Sequence, residues 1–226
     1  MKSTEFIAKL RDIVDNYKTV YMLGCFGHVV NENIIASKAK QLPNWYTAKK
    51  QSELRKLIGK GYFAFDCVNL IKGVLWGWSG DLKSAYGGAK YNSNGVPDTN
   101  ADGMIKLCKD VSTDFNKILP GEAVWIPGHI GVYIGNGKVI ESTPSWQNKV
   151  QVTTCLNVAG GTPGRKWDKH GKLPWIEYDV DLTYEQALQV IAPFAGIDPA
   201  YWRGKKGIDK YFELLMIKIA KAVMKG

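Results

Sequence analysis

One cysteine, one histidine and one glutamate in this chain have the types and spacing of an activated nucleophile. Cys67 lies in Gly-Tyr-Phe-Ala-Phe-Asp-Cys-Val-Asn-Leu-Ile, residues 61–71. Asp66 is a good N-cap, because its carboxylate can accept a main-chain N–H of the first helical turn. That puts Cys67 at a helix N-terminus, where unpaired N–H groups and the helix dipole favour a thiolate and predict a lowered pKa. Leu70, Ile71, Val74, Leu75 and Trp78 follow at helical spacing, so the expectation is a mostly buried helix with its thiol at an exposed tip. The competing reading is a buried core cysteine, since free Cys is among the most buried residue types. On the local sequence both readings stand.

The general base has to come from His28, His129 or His170. His129 opens a hairpin pattern, Gly128-His-Ile-Gly-Val-Tyr-Ile-Gly-Asn-Gly-Lys-Val-Ile-Glu-Ser142, and faces away from the apolar positions Ile130, Val132 and Ile134. A Cys–His pair is the minimal activated thiol nucleophile, and a third group should orient the imidazole. Glu141 is the candidate, and strand parity tests it. A two-residue Asn136-Gly137 turn pairs Gly135 with Lys138 and sends Glu141 to the wrong face. A three-residue Gly-Asn-Gly loop pairs Ile134 with Lys138 and puts Glu141 opposite Gly131, on the same face as His129. The three-residue loop is expected, with Gly137 in its left-handed position. An exposed strand carboxylate is the plainer alternative for Glu141.

Several elements must hold these groups. Apolar residues from Phe6 to Tyr21 predict a helix over Thr4–Tyr21, ended by Gly24 and Gly27. Further helices are expected over Asn31–Gln41, Asn44–Lys60 and Asp66–Leu75, and from a cap at Asp98 or Thr99 to Cys108. The period then changes. Ala123–Ile126, Ile130–Ile134, Lys138–Ser142, Val150–Cys155 and Trp175–Val180 read as strands separated by Pro-Gly, Gly-Asn-Gly and Gly-Gly. Helices first and a strand meander second make an α+β fold. After Asp181 the pattern is helical again: Tyr184–Phe194 behind Thr183, a helix opened by Asp198-Pro199, and Ile208–Met224. The expected organisation is a domain over 1–180 and a small helical appendage over 181–226.

Taken together, Phe65-Asp-Cys-Val-Asn-Leu-Ile71, Pro120-Gly-Glu-Ala-Val-Trp-Ile126, His129-Ile-Gly-Val-Tyr-Ile-Gly-Asn-Gly137 and Val139-Ile-Glu-Ser142 resemble the NlpC-type cysteine peptidases of bacterial cell walls. The resemblance covers roughly residues 40–160. It implies a papain-like fold, cleavage of amide bonds in peptidoglycan stems, and the roles of nucleophile for Cys67, general base for His129 and orienting residue for Glu141. The family usually carries His, Asn or Gln at the third place, so glutamate is a departure; an anion there stabilises an imidazolium. The resemblance also implies a tyrosine upstream of the cysteine lining the oxyanion site. Tyr46 is a candidate and Tyr62 competes, beside the main-chain N–H of Cys67 itself. Trp45, Trp78 and Trp146 are near the motifs and are candidates to line a groove for a polymeric substrate. The closing helices are similar to small helical units at the ends of phage and clostridial lysins.

Composition bounds the rest. With 226 residues, 45% hydrophobic and 23% charged, the chain can bury a real core and is not a disordered tail protein. No apolar run approaches the ~18–20 residues of a membrane span, so stable membrane insertion is not expected. Thirty Lys+Arg against 21 Asp+Glu give +9, which suits polyanions such as anionic wall polymers. The basic residues are scattered and carry no nucleic-acid-binding motif, so nucleic acid is not expected as a partner. Cys25, Cys67, Cys108 and Cys155 form no C-x-x-C, and no metal-binding spacing or phosphate cradle appears; no cofactor or metal is expected. His28 reads as structural and His170 as a solvated turn. The start, Met-Lys-Ser-Thr-Glu-Phe, has no apolar h-region, so cytoplasmic synthesis with phage-type release is the expectation. Two rivals stay open: an N-acetylmuramoyl-L-alanine amidase using the same Cys/His site, and a wall-binding module with a dead site. Product termini separate the first, and an inert Cys67 with binding retained marks the second.

Overall fold

Phe6, Leu10 and Ile13 recur at steps of three and four, and they bury one side of α1 (Ser3–Asn16). In the computed structural model of the chain, residues 1–178 are described, and beyond them 187, 188, 191, 196, 198 and 210–223. The first helix stops at Asn16, short of the expected Tyr21, because Lys18–Tyr21 leaves as a strand, β1. Thr19, Val20 and Tyr21 suit a pleated surface, and a partner distant in sequence decides the matter. β1 pairs in parallel with β3 (Tyr62–Phe65), which pairs antiparallel with β2 (Phe26–Val29), giving a three-stranded sheet of order β1-β3-β2. The sequence reading held only helices in this half.

α2 (Glu32–Gln41) starts where expected, with the Asn31 side chain accepting the Ile34 N–H at 3.0 Å. α3 covers only Ala48–Arg55, behind a Thr47 cap. α4 (Cys67–Leu75) is buried along its whole length and capped by Asp66. α5 (Ala101–Leu107) is capped by Asn100 rather than by Asp98 or Thr99. Asp98 instead binds the Lys72 ammonium, which also donates to the Thr99 carbonyl.

The second half builds a seven-stranded sheet from β4 (Lys109–Ser112), β5 (Ala123–Ile126), β6 (His129–Gly135), β7 (Lys138–Thr143), β8 (Lys149–Cys155), β9 (Gly164–Arg165) and β10 (Lys169–Lys172). The order is β4-β10-β5-β6-β7-β8-β9, antiparallel throughout except for β8 with β9. Trp175–Tyr178 forms no strand, only a bridge from Glu177 to Lys2; residues 179 and 180 lie outside the described residues. Alternation along the strands buries both faces. Ile130, Val132, Ile134, Ile140 and Val150 pack with α1, α4 and α5, while Val124, Tyr133, Val139, Cys155 and Trp167 form a second cluster. The fold class is α+β.

Polar ties fasten the small sheet to the large one. Buried Ser142 on β7 donates to the Phe65 carbonyl at 2.9 Å. The Val150 N–H reaches Thr19 Oγ1 at 3.1 Å, and the Tyr21 N–H reaches the Asn148 carbonyl at 3.0 Å. Phe65 lies two residues before Cys67, so these bonds set α4 against β6 and β7.

The chain divides into two units, Met1–Tyr178 and Asp179–Gly226. In the second, α6 (Lys210–Val223) carries Met216 and Ala220 in a cluster with Ala187, Leu188 and Ile191. The helices expected over 184–194 and from Asp198 lie largely outside the described residues. No helix of the described residues is long and apolar enough to cross a membrane.

Candidate active site

Asp66 builds the site's first wall. Its carboxylate accepts the N–H of Asn69 at 2.8 Å and of Gly24 at 2.7 Å, and the Asn69 side-chain amide at 2.7 Å. One residue thereby caps α4 and ties down the loop after β1. Cys67 sits on the first turn of α4 but is buried, not at an exposed tip. Burial and then the neighbouring Asp66 push its thiol up to about 12, while the main-chain N–H groups of Ile130, Val68 and Cys67 itself pull the other way. The lowered pKa expected from the helix terminus is therefore overridden: desolvation disfavours the thiolate more than the N–H groups favour it.

The contact with Ile130 brings the thiol to the start of β6, where His129 stands. His129 Nε2 lies 2.5 Å from Glu141 Oε2. The ring also stacks on Trp167, with centroids 5.6 Å apart and planes within 14°. With Nε2 committed to the carboxylate, Nδ1 is the nitrogen left for a thiol proton. Glu141 is fully buried. Burial pushes its carboxyl up, but the hydrogen bond and charge of His129, then Arg165 and Thr153, outweigh it and hold it below the ordinary carboxylate range. Thr153 donates to Oε1 at 2.6 Å, and Arg165 meets the same carboxylate at 3.0 Å.

The register that joins His129 to Glu141 is the expected one, reached by a different device. Tyr133 pairs with Val139 and Val132 with Ile140, which sets Glu141 opposite Gly131. The turn, however, is the two-residue Asn136-Gly137, both residues at positive φ, and Gly135 pairs with Lys138. A bulge between Tyr133 and Gly135 supplies the extra residue.

The other named residues scatter. Tyr46 is buried and donates its hydroxyl to the Leu23 carbonyl at 2.7 Å. Tyr62 begins β3, at the strand's far end from Cys67. The tyrosine whose hydroxyl feels the charge of Cys67 is Tyr21. Burial, then the charges of Cys67 and Asp66, hold its hydroxyl well above the ordinary phenol value. Tyr21 was missed because it was read as the end of the first helix; its strand character was the available signal. Trp45 packs on Tyr21, with centroids 5.9 Å apart, and carries Lys50 over its face. Trp78 is core, not groove: its indole donates to the Gly27 carbonyl at 3.2 Å and meets Tyr17, Phe63 and Phe65 edge-on. Trp146 is 48% exposed and takes the Arg165 guanidinium over its ring at 5.0 Å. Arg165 and Trp167 were also missed, since nothing local reveals that their segment returns to β8.

His28 is structural: buried, accepting the Phe26 N–H, and lowered to about 4 by burial and then Lys38. His170 is not a solvated turn. It is buried on β10, bonded to Glu122 and to the Asp114 carbonyl. A cavity of about 570 Å³ opens along the first turns of α4, lined by Gly24, Lys38, Asp66, Val68 and Asn69 among others, with Tyr91 and Asp98 opposite. Among the described residues no cluster of three His, Cys, Asp or Glu side chains suits a metal ion.

No family model and no curated protein matches the chain. Among solved structures it is similar to NlpC1 from Trichomonas vaginalis, with a TM-score of 0.41 and 14% identity over 76% of this chain and 44% of that one. It is similar in the same way to NlpC2 from Trichomonas vaginalis, with a TM-score of 0.40 and 14% identity over 76% of this chain and 46% of that one. The chain thus covers less than half the length of either structure.

Proposed function

We propose that the chain is a peptidoglycan hydrolase, a cysteine endopeptidase that cleaves stem-peptide amide bonds through an acyl-enzyme. The observation that carries this reading is the pairing of half-buried His129 with buried Glu141 at the start of β6, together with the link from Cys67 on the first turn of α4 to the neighbouring Ile130 N–H. Glu141 fixes the tautomer with hydrogen on Nε2, leaving Nδ1 as the base. The Cys67 thiol is held protonated at rest, so Nδ1 takes its proton as sulfur attacks the scissile carbonyl. The main-chain N–H of Cys67, at the helix terminus, meets the developing oxyanion, with the Tyr21 hydroxyl beside it. The imidazolium then protonates the leaving amine, and the neutral ring activates water to release the acyl group. Peptidoglycan is the partner in this reading, and the +9 charge supports attraction to anionic wall polymers. Action at the cell wall after phage-type release is the setting that goes with it.

The test is digestion of purified peptidoglycan by the full chain and by Cys67→Ala, with fragments read by mass spectrometry. Cleavage between stem amino acids, absent from the variant, is the expected result. Lactyl-ended glycans with freed stems would make the enzyme an amidase instead. No release from walls of several stem chemistries would remove the hydrolase reading.

A further inference from the structure

Glu141 has no exposure at all, so an ionised carboxylate there must be compensated. His129 and Thr153 supply part of that compensation through their hydrogen bonds. Arg165 adds a cation: its Nη2 lies 3.0 Å from Oε2, the oxygen that His129 also binds, and its Nε lies 3.3 Å from Oε1. The guanidinium grips both oxygens in a planar fork, which fixes the carboxylate plane. It is itself held by Thr143 Oγ1 at 3.4 Å and lies over the rings of Trp146 and Trp167 at 5.0 and 5.4 Å. Trp167 is also the ring that stacks on His129.

The glycine loop before it has no other part in the site. Gly164 pairs with Thr154 across β8 and β9, and a Cβ there would meet the Thr154 carbonyl oxygen at 2.8 Å. Only glycine lets β9 come this close, and the next residue is Arg165.

We propose that Arg165 is a positioning residue, which keeps Glu141 ionised and aimed at His129 and so sets the strength of His129 as a base. This rests on the reading of Cys67 and His129 as nucleophile and base. The sign follows from charge. Glu141 favours the imidazolium, and Arg165 offsets part of that pull. Without Arg165 the ring holds its proton more tightly, and the carboxylate loses the fork that orients it. Ionisable groups around the start of β6 include Cys67 from α4, Lys169 from β10, whose ammonium lies over the Trp125 ring at 5.7 Å, and Asp102 from α5, whose carboxylate takes the Gly128 N–H at 2.8 Å and the Trp125 indole N–H at 2.9 Å. None of them changes in the variants below.

The experiment is an NMR titration of the His129 ring in the full chain, in Arg165→Gln and in Arg165→Lys. The midpoint should rise by about one pH unit in Arg165→Gln and stay near wild type in Arg165→Lys, which keeps the charge. Should Arg165→Gln fail to fold, Arg165→Met, which keeps the aliphatic stem and Glu141 but removes the cation, takes its place, and the midpoint should again rise. An unmoved midpoint in the comparison that folds would overturn the proposal and leave Arg165 a structural ion pair. The reading of the site fails separately: a shifted midpoint in a protein that cleaves no wall peptide keeps the electrostatic role and removes the catalytic one.

Discussion

The buried thiol and the buried carboxylate shift in opposite directions, and each shift leads to a measurement. Cys67 is raised to about 12 by burial and then by Asp66, so its iodoacetamide alkylation should be slow at neutral pH and climb through the alkaline range. A rate already level near pH 6 would mean a preformed thiolate and overturn this account. Glu141 works through His129, so Glu141→Gln should lower kcat/KM roughly a hundredfold to ten-thousandfold, by weakening the base and loosening its tautomer. Retention of full activity would remove Glu141 from the machinery. Neither shift was legible in the sequence. Helix position argued for a lowered thiol pKa, and only the packed structure shows how far desolvation opposes it.

At the scale of elements, α4 is held by its cap and by close approach. Asp66→Ala removes three hydrogen bonds, to Gly24, the Asn69 N–H and the Asn69 amide. It should cost about 1–3 kcal/mol in chemical denaturation and release the loop after β1. Gly73 faces β2 so tightly that an added Cβ would lie 2.7 Å from the Phe26 carbonyl oxygen. Gly73→Ala should therefore destabilise by about 1–3 kcal/mol through overpacking, despite the better helix propensity of alanine; a stabilised variant would show that the contact gives way. α4 and its Asp66 cap were legible because apolar spacing and a capping residue are local signals. The β1-β3-β2 sheet was not, because four-residue strands in an apolar context take their identity from partners some 40 residues away. The facing of Glu141 with Gly131 was read correctly, while the turn and the pairing of Lys138, with Gly135 rather than Ile134, were not: parity fixes which residues share a face, but a bulge and a longer loop satisfy parity equally.

For the molecule as a whole, two histidine–carboxylate pairs, one half-buried and one buried, give stability opposite pH dependences. Glu141 is depressed in the folded state, so its contribution is present above its unfolded pKa and is lost as pH falls through the folded value. At His170, burial lowers the pKa, but the Glu122 hydrogen bond, the Asp114 carbonyl and their charges raise it more. The pair's contribution is therefore full below the unfolded histidine value, about 6.5, and fades as pH rises through the raised folded one. Denaturation of wild type and Glu122→Gln across pH 5–9 checks this: the stability difference between them should shrink as pH rises, and a constant difference would refute the linkage. The two-unit organisation makes a further expectation. Met1–Tyr178 contains Cys67, His129, Glu141 and its own core, so the chain ended at Tyr178 should melt cooperatively. Failure to fold would show that residues 179–226 complete its core.

By itself the sequence determined the α+β class, the α4 helix with its Asp66 cap, the β5–β8 meander and the facing of His129 with Glu141. Each follows from a periodicity or a turn signal carried within a few residues. Tertiary structure alone decided that the thiol is buried, that Tyr21 interacts electrostatically with it while Tyr46 is tied to Leu23, that Trp78 is core, that Arg165 grips Glu141 and that Trp167 stacks on His129. Those outcomes depend on which surfaces are desolvated and which distant strands meet, and both are properties of the packed chain rather than of any local stretch of it.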